Sequence, residues 1–395
     1  MPIVRLLHVS DLHERGPRAA KERWSRSRVL GDAWTRNLSE LAQAGPIDLV
    51  CFTGDLADWG LPGEYAAATE FFNQLCEHTQ VPRARLFLVP GNHDVQRPTQ
   101  EDAWKELRKC ADHNQAGVAR WLAGQSVPYG ADEAWPGAVL ERTSTFWKYV
   151  QETLGLTHLD PTKSHHGQLG YRQPITLEGR PFPVHIVGLD SAWLCGEDAE
   201  TGKILLTEEQ VGCHVHDQTG QPLPGLRIAL VHHPLAELAD GKACRRLLAD
   251  RVDLLLSGHV HETDVCAVVE PGRELRQIAA GCLYEGAQGH RWPNSCQLIE
   301  IETDDQGRPR HYTVRFRSWS PRGHWHDDSG LYADAPTGIL HWSVDGAQQG
   351  MALSIAPKGV SGHVRFEAAR RFQQHAAARH SRLSLHPLPV PTVSR

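Results

Sequence analysis

A chain of 395 residues is long enough to bury a full hydrophobic core, and its 40% apolar and 22% charged residues are ordinary for a globular protein. The formal net charge of −6 argues against a molecule that binds polyanions over its whole surface. No segment approaches the roughly 18 apolar residues of a membrane helix, and Arg5 interrupts the first apolar stretch before it reaches the roughly 7–15 residues of a signal sequence. Nine scattered cysteines without a CxxC pair favour reduced thiols, so we expect a cytoplasmic protein with no membrane partner.

Short apolar runs alternate with helical patterns through the first 260 residues. We predict strands at 3–9, 47–53, 85–89, 183–189, 227–231 and 252–256, and helices at 27–43, 63–77, 206–211 and 240–250. Later segments at 263–269, 275–280, 295–303 and 311–318 have no good helix between them and are predicted to be antiparallel strands that complete a second sheet. This alternation is typical of a layered α/β domain.

Residues 98–181 have a different pattern, with apolar side chains at helical spacing in two places. The first face comprises Trp104, Leu107, Ala111, Val118 and Trp121, and the second Phe146, Tyr149, Val150 and Leu154. We predict a helical cap at 98–181, inserted between the two parts of a core, 1–97 and 182–318. Residues 319–395 are predicted to be a C-terminal extension whose Pro-rich end, 383–395, is disordered.

Five short polar motifs follow the predicted strands. They are Asp11-Leu-His13, Gly54-Asp55-Leu-Ala-Asp58, Gly91-Asn92-His93-Asp94, His232-His233-Pro234 and Gly258-His259-Val-His261. Because ligands bind at the carboxyl ends of strands in α/β sheets, we expect one sheet to bring all five motifs to a single rim. Residues two apart on an extended segment point the same way, so the DxH and HxH pairs can each face one centre, whereas the adjacent His232 and His233 must diverge. The glycines should let the backbone turn sharply before the ligands.

These motifs combine carboxylate, amide and imidazole ligands without a thiolate, a set that suits Mn, Fe, Zn or Co. The predicted metal ligands are Asp11, His13, Asp55, Asn92, His232, His259 and His261. Seven ligands are too many for one small ion and suit two divalent ions that share a carboxylate, for which Asp55 is the natural bridge. We therefore expect a dinuclear centre, with Mn as the activating metal in vitro.

The combined motifs and the stretch FTGDLADWGLPGEYAAA resemble the calcineurin-like metallophosphoesterase superfamily, in a style similar to the class III cyclic-nucleotide phosphodiesterases. The resemblance covers about 1–97 and 182–318 and implies a four-layer α/β/β/α sandwich. It also implies the allocation of the ligands, with His232 rather than His233 taken from the HxP motif. One metal would bind Asp11, His13, Asp55 and His261, and the other Asp55, Asn92, His232 and His259.

The same resemblance implies roles in catalysis. His93 would lie beside the phosphoryl group, where it stabilises charge or protonates the leaving oxygen, and Asp94 would orient His93. The implied enzyme is a phosphodiesterase in which a hydroxide bridging the two metals attacks phosphorus in line. Its expected substrate is a cyclic nucleotide or another small diester.

Two alternatives stay open at the level of sequence. The first is a metal-dependent DNA or RNA nuclease of the same family, favoured by a run of basic residues that surrounds Trp24 behind the first motif and by basic residues in 358–395. That run comprises Arg15, Arg18, Lys21, Arg23, Arg26 and Arg28, of which Arg15 and Arg18 are the candidate substrate contacts. The second is a non-catalytic interaction protein on the same scaffold.

Several other polar residues have plainer interpretations. Asp58 would cap the following helix or orient a metal ligand. We expect Cys213, His214 and His216 to be surface residues, and His165 and His166 to be solvated in the cap. Residues 324–328, which imitate a metal motif, are expected to form an ordinary loop.

Overall fold

A computed structural model describes residues 1–21, 23–284 and 293–344, and the elements below all belong to one compact unit of the chain. The predicted Pro-rich segment 383–395 and the basic residues at 358–395 lie outside the described residues. No described helix combines the length and the apolar character needed to cross a bilayer.

The described residues form thirteen strands and nine α-helices. In chain order the strands β1–β13 are Ile3–Val9, Leu49–Phe52, Leu86–Leu88, Tyr171–Thr176, Pro183–Gly188, Leu226–Leu230, Leu254–Ser257, Asp264–Glu270, Arg273–Ala279, Ser295–Thr303, Pro309–Ser320, His324–Asp327 and Ile339–Ser343. The helices α1–α9 are Arg23–Leu30, Asp32–Gln43, Pro62–Thr79, Glu101–His113, Gln115–Leu122, Trp135–Glu141, Ser144–Lys148, Glu208–Val215 and Gly241–Ala249.

The strands form two sheets that face each other across the main core. The first has the order β12-β11-β10-β1-β2-β3, with β13 paired to β11, and the second has the order β4-β5-β6-β7-β9-β8. Alternating side chains of β6 show the layering: Ile228 and Leu230 join the core between the sheets, whereas Ala229 packs in a second cluster with side chains of α8 and α9. On the far side of the first sheet, Trp34 of α2 and Phe72 of α3 extend the main core. The predicted four-layer α/β/β/α sandwich is therefore confirmed.

The late strands differ from their prediction. Segments 264–270 and 273–279 join the second sheet, but β10 pairs antiparallel with β1, so β10 and β11 complete the first sheet instead. The physical reason is that β10 has apolar side chains on both faces, which lets it lie in the interior of a sheet. In addition, β9 runs parallel to β7.

Two predicted boundaries also lie elsewhere. The sheets extend past the predicted core limits, since β4 begins at Tyr171 and both β12 and β13 pair with β11 after residue 318. The helix predicted at 27–43 is divided at Gly31, where an added Cβ would overlap the carbonyl oxygen of Ser27. The chain therefore breaks into α1 and α2 at the one residue that lacks a side chain.

The predicted insert contains helices α4–α7 and two different packing regions. Trp104, Leu107, Val118 and Trp121 form a cluster with Trp193, as their spacing predicted. The second predicted face, which begins at Phe146, joins the main core between the sheets instead. Half of the insert is thus built into the sandwich, and the role of the other half as a cap stays a prediction.

Candidate metal centre

Loops from both sheets, rather than one, bring the five motifs together. The first three motifs follow β1, β2 and β3 of the first sheet, and the last two follow β6 and β7 of the second. Backbone hydrogen bonds join the loops within a sheet: Asp11 N donates to Gly54 O at 3.0 Å, and Gly258 N donates to His232 O at 3.0 Å. Across the sheets, His259 N donates to Asp11 Oδ2 at 3.1 Å. The expectation of a single sheet rim was wrong, because the carboxyl ends of the two facing sheets meet at the same end of the sandwich.

The backbone is strained at the predicted ligands. Eight non-glycine residues in the described part of the chain have φ in the left-handed region, and five of them are predicted ligands. These are Asp11 at 56°, His13 at 45°, Asp55 at 57°, His259 at 73° and His261 at 59°. Such torsions cost about 1–3 kcal/mol each and persist where the surroundings impose them. The DxH and HxH pairs thus reach their centre from left-handed turns, not from the extended segments that we expected.

The motif glycines serve mainly to let groups approach closely. Gly54 does have φ +97°, as a sharp turn requires. Gly91, by contrast, is extended, at φ −109° and ψ 178°, and a Cβ there would overlap Asp55 Oδ1. A Cβ on Gly258 would overlap Ser10 Oγ and lie 2.8 Å from Asp11 Oδ2. Two of the three glycines are therefore needed for space beside the carboxylates rather than for their torsions.

Four of the seven predicted ligands form one buried cluster. The ligand atoms of Asp11, His13, Asp55 and His261 all lie within 4.8 Å of one another. His261 Nε2 lies 3.0 Å from both Asp11 Oδ1 and His13 Nε2, and His13 Nε2 lies 3.7 Å from Asp11 Oδ1. Carboxylate oxygens and imidazole nitrogens thus point at a common position.

The other predicted ligands form a second cluster beside the first. Asn92 Oδ1 lies 3.1 Å from His232 Nε2 and 3.0 Å from His259 Nδ1, and these two nitrogens are 3.3 Å apart. Asp55 Oδ2 lies 3.3 Å from His232 Nε2 and 4.0 Å from His13 Nε2 of the first cluster. Asp55 is therefore the residue common to both clusters.

The spacing of these atoms fits metal coordination. Ligands held at about 2.0–2.1 Å from one ion at angles of roughly 90–109° lie about 2.9–3.4 Å apart, which is the range found within each cluster. Two imidazole nitrogens that face each other, as in His13 and His261, compete for one proton, whereas a cation accepts both lone pairs. The donors thus suit a borderline or hard divalent ion.

Electrostatics within the centre lead to the same conclusion. Burial lowers the pKa of His232, but Asp55 and Asp11 outweigh it and raise this pKa to about 9. Burial likewise raises the pKa of Asp55, yet His232 and His93 hold it well below its usual value. The carboxylates are therefore ionised and draw positive charge into a buried space.

The two adjacent histidines diverge, as their spacing predicted. His232 directs Nε2 into the second cluster, while its Nδ1 donates to Thr53 O at 2.7 Å. His233 directs Nδ1 to Ser191 Oγ at 2.9 Å, and its Nε2 lies 3.8 Å from Cys195 Sγ. His232 is the one that faces the predicted ligands.

Sequence reasoning missed Glu237. His259 faces the second cluster through Nδ1, and its Nε2 lies 3.1 Å from Glu237 Oε2. A carboxylate on the outer nitrogen of a ligand histidine fixes its tautomer and strengthens it as a donor. Glu237 ends a single turn of 3-10 helix, Leu235–Glu237, and no sequence pattern marks it.

Asp94 does not orient His93, contrary to our expectation. Its carboxylate accepts hydrogen bonds from the backbone N–H groups of Leu56, Ala57 and Gly91 at 2.9–3.1 Å and from Tyr65 Oη at 3.0 Å. Asp94 is thus a buried support of two ligand loops. Burial, together with the nearby charge of Asp55, raises its pKa to about 6.

Asp58 takes the place that we assigned to Asp94. The Nδ1 of His93 lies 2.9 Å from the carbonyl oxygen of Asp58, and the side chain of His93 is 36% exposed at the edge of the centre. Asp58 does not cap α3, because Glu64 accepts the N–H of Leu61 at that helix start. The orienting alternative for Asp58 is the one that the contacts favour.

Much of the basic run behind the first motif is already paired. Arg26 Nη2 lies 2.6 Å from Glu14 Oε2, and Arg18 contacts both Asp58 and Glu64. Arg15 Nε lies 3.5 Å from Asp58 Oδ2, and its side chain is one-third exposed. These contacts place Arg15 and Arg18 beside Asp58, so their predicted contact with substrate stays a prediction.

Three plainer expectations need correction. His214 is fully buried and its Nε2 lies 2.9 Å from Leu169 O, because α8 turns it inward. His166 is also buried rather than solvated. Residues 324–327 form β12, where Asp327 pairs with Arg315 and Arg317, instead of a loop.

Fold and centre together define an α/β/β/α sandwich with a buried His/Asp metal-binding cluster where the carboxyl ends of its two sheets meet. The chain belongs to the calcineurin-like phosphoesterase family, whose sequence model matches residues 4–263. Membership supports a metal-dependent hydrolase of phosphate esters.

Solved structures with a distant likeness include a purple acid phosphatase from yellow lupin, with 13% identity, a TM-score of 0.43 and coverage of 91% of this chain and 57% of that one. An NAD nucleotidase from Haemophilus influenzae has 10% identity and a TM-score of 0.39, over 95% of this chain and 60% of that one. Vacuolar protein sorting 29 from Cryptosporidium parvum has 11% identity and a TM-score of 0.34, over 86% and 98%. No curated protein sequence matches the chain significantly.

Proposed function

We propose that this protein is a phosphodiesterase that requires two divalent metal ions. Asp11, His13, Asp55 and His261 would hold one ion, and Asn92, His232 and His259, again with Asp55, the other. The observation that carries the proposal is the position of Asp55 Oδ2, which lies 3.3 Å from a nitrogen of one cluster and 4.0 Å from a nitrogen of the other. Two ions, when bound, would supply Lewis acidity and an activated water.

The protein's own groups would orient the reaction and move a proton. His93 N donates to Asp55 Oδ1 at 2.8 Å, so the backbone of His93 is tied to the shared carboxylate. With Nδ1 directed to the Asp58 carbonyl, Nε2 is the ring nitrogen that would meet substrate. His93 would therefore donate a proton to the leaving oxygen or stabilise its charge.

Substitution of the shared carboxylate tests the proposal. Asp55→Asn keeps the size of the side chain but removes the charge common to both clusters. We expect fewer than two Mn ions per chain and a loss of at least about 100-fold in hydrolysis of bis-p-nitrophenyl phosphate, as for the removal of other preorganised electrostatic groups. Asp305→Asn, at an exposed position, is the control and should match the wild type. Full activity of Asp55→Asn with two bound ions would overturn the assignment.

The choice between a small diester and a nucleic acid is tested by ionic strength. Since Arg18 and Arg26 are paired with carboxylates, we favour a small diester. Hydrolysis of a cyclic nucleotide should then change little between 50 and 200 mM salt, whereas a nuclease would lose much of its affinity for DNA or RNA over such a range. Efficient, salt-sensitive degradation of a polymer would favour the nuclease alternative.

A further inference from the structure

A large aromatic side chain projects into solvent beside the group that holds His93. Trp59 is 58% exposed, although the preceding residue, Asp58, accepts the hydrogen bond of His93 Nδ1 through its carbonyl oxygen. The next exposed apolar side chain, Leu61, lies two residues further on. Apolar surface of this size next to a polar centre is costly in water and marks a place where a ligand binds.

The turn that carries Trp59 is rigid. Glu64 Oε2 accepts the backbone N–H of Trp59 at 3.0 Å and that of Leu61 at 2.9 Å. Gly60 has φ +67°, and its carbonyl oxygen accepts a bond from Gln96 Nε2 at 2.8 Å. The backbone at 58–61 is therefore fixed before any substrate arrives.

The ring of Trp59 is also held from one side. The guanidinium of Arg18 lies 5.3 Å from the ring centroid, within the range of a cation–π interaction, and this guanidinium pairs with Asp58 and Glu64. One face of the indole is thus supported by a cation that is itself tied to the turn. The exposed part of the ring offers a flat surface without a loss of side-chain freedom on binding.

We propose that Trp59 is a stacking platform that selects phosphodiesters in which a nucleobase adjoins the phosphate. The proposal rests on the proposed function, because it places the base of the substrate on Trp59 while its phosphate lies at the metal centre. A flat ring stacks on any nucleobase, and the neighbouring Arg18 and Arg15 favour an anionic ligand. The shared chemistry is a base beside a diester, from either a cyclic nucleotide or the end of a nucleic acid.

Paired substrates with and without a base test this selectivity. With Mn, Trp59→Ala should lower kcat/KM for 2′,3′-cyclic AMP about 5- to 150-fold, the equivalent of the ~1–3 kcal/mol that base–aromatic stacking is worth. Its kcat/KM for glycerophosphoglycerol, which has no ring, should stay within twofold. Trp59→Phe, which keeps an aromatic face, should restore most of the activity toward the nucleotide.

Trp24 provides the matched control. It is 73% exposed and has the guanidinium of Arg28 5.7 Å from its ring, but it lies on α1 and has no hydrogen-bonded link to His93. Trp24→Ala should hydrolyse both diesters like the wild type. An equal loss on both substrates by Trp59→Ala, or no loss on either, would overturn the proposal.

A binding measurement separates this proposal from the proposed function. Calorimetric titration with AMP, which needs no turnover, should give a weaker affinity for Trp59→Ala than for the wild type and for Trp24→Ala. If the wild type hydrolyses neither diester but this difference in affinity is found, the platform stands and the phosphodiesterase does not. Equal AMP affinities would count against the platform. A comparison of 2′,3′-cyclic AMP with the dinucleotide ApA then identifies the source of the base.

Discussion

At the scale of single residues, the centre depends on side chains whose second polar atom is fixed by a neighbour. His232 donates through Nδ1 to the Thr53 carbonyl, and His259 faces Glu237 through Nε2. Each histidine is thereby committed to present its other nitrogen to the second cluster. Asp55 is fixed in the same way, since one of its oxygens accepts the N–H of His93.

Glu237 gives a prediction at this scale. Glu237→Gln removes the negative charge beside His259 without changing the size of the side chain. We expect metal affinity to fall about 10- to 100-fold, because the partner of a ligand histidine raises its donor strength. Competition with a chromophoric chelator would measure this, and the weaker of the two binding steps should change most.

An exposed carboxylate provides the comparison for Glu237. Glu178→Gln removes the same charge at an exposed turn and should leave both metal-binding constants unchanged. Equal constants for Glu237→Gln and the wild type would show that Glu237 does not act on His259.

At the scale of elements, the loops after the strands are packed so closely that two motif glycines have no room for a side chain. Gly91 lies between β3 and the Asn92–Asp94 turn, against Asp55 of the loop after β2. The carboxylate of Asp94 then bonds the N–H groups of both loops. The positions of Asp55 and Asn92 are therefore coupled through backbone packing.

This coupling predicts the effect of one added methyl group. Gly91→Ala should displace Asp55, lower metal occupancy and destabilise the fold by about 1–3 kcal/mol, as overpacking does. Its torsions are extended and suit alanine, so the effect would come from the contact with Asp55 alone. Metal analysis and urea denaturation would measure both consequences.

The control is a glycine with free space around it. Gly212 lies in α8, and a Cβ there would have no heavy atom within 4 Å. Gly212→Ala should raise stability by about 0.5–1 kcal/mol and leave the metal content unchanged. A Gly91→Ala protein with normal stability and two ions would contradict the coupling.

At the scale of the whole molecule, several histidines are buried in the structure outside the metal centre. Burial lowers the pKa of His8 to about 3, and those of His166, His185 and His214 to about 4. All four are then neutral in the folded state at neutral pH. In the unfolded chain they titrate near their ordinary value of about 6.5.

Acid should therefore destabilise the fold. Between about pH 6.5 and pH 4 the unfolded chain binds more protons than the folded one, so stability falls as pH falls, and it is complete above pH 6.5. One histidine contributes at most about 1.4 kcal/mol per pH unit in this window. The melting temperature measured from pH 7 to pH 4.5 should decrease accordingly.

A single substitution isolates this effect from the titration of metal ligands. His185→Leu, on β5, removes one titrating group and should make the decrease of the melting temperature with acid shallower than in the wild type. The difference between the two proteins cancels the contribution of the metal centre. Parallel pH profiles would show that His185 is not neutralised by burial.

Much of the fold was predictable because strands with apolar side chains on both faces have a clear signature. The six early strands lie where the apolar runs predicted them, from Ile3–Val9 to Leu254–Ser257. Which sheet each late strand joins was not predictable, since β8 and β10 are both short runs of alternating or continuous apolar residues. Pairing of β10 with β1 joins residues about 300 positions apart, and no local pattern encodes it.

The sequence by itself determined the chemistry of the centre. Residue type and order are properties of the chain, so Asp11, Asp55, Asn92 and the histidines could be recognised as metal ligands, and His232 and His233 as diverging neighbours. Only the tertiary structure decided which groups surround those ligands. Glu237 reaches His259, Asp58 rather than Asp94 holds His93, and Trp59 stands exposed beside them, because these contacts depend on how two sheets and their loops come together in space.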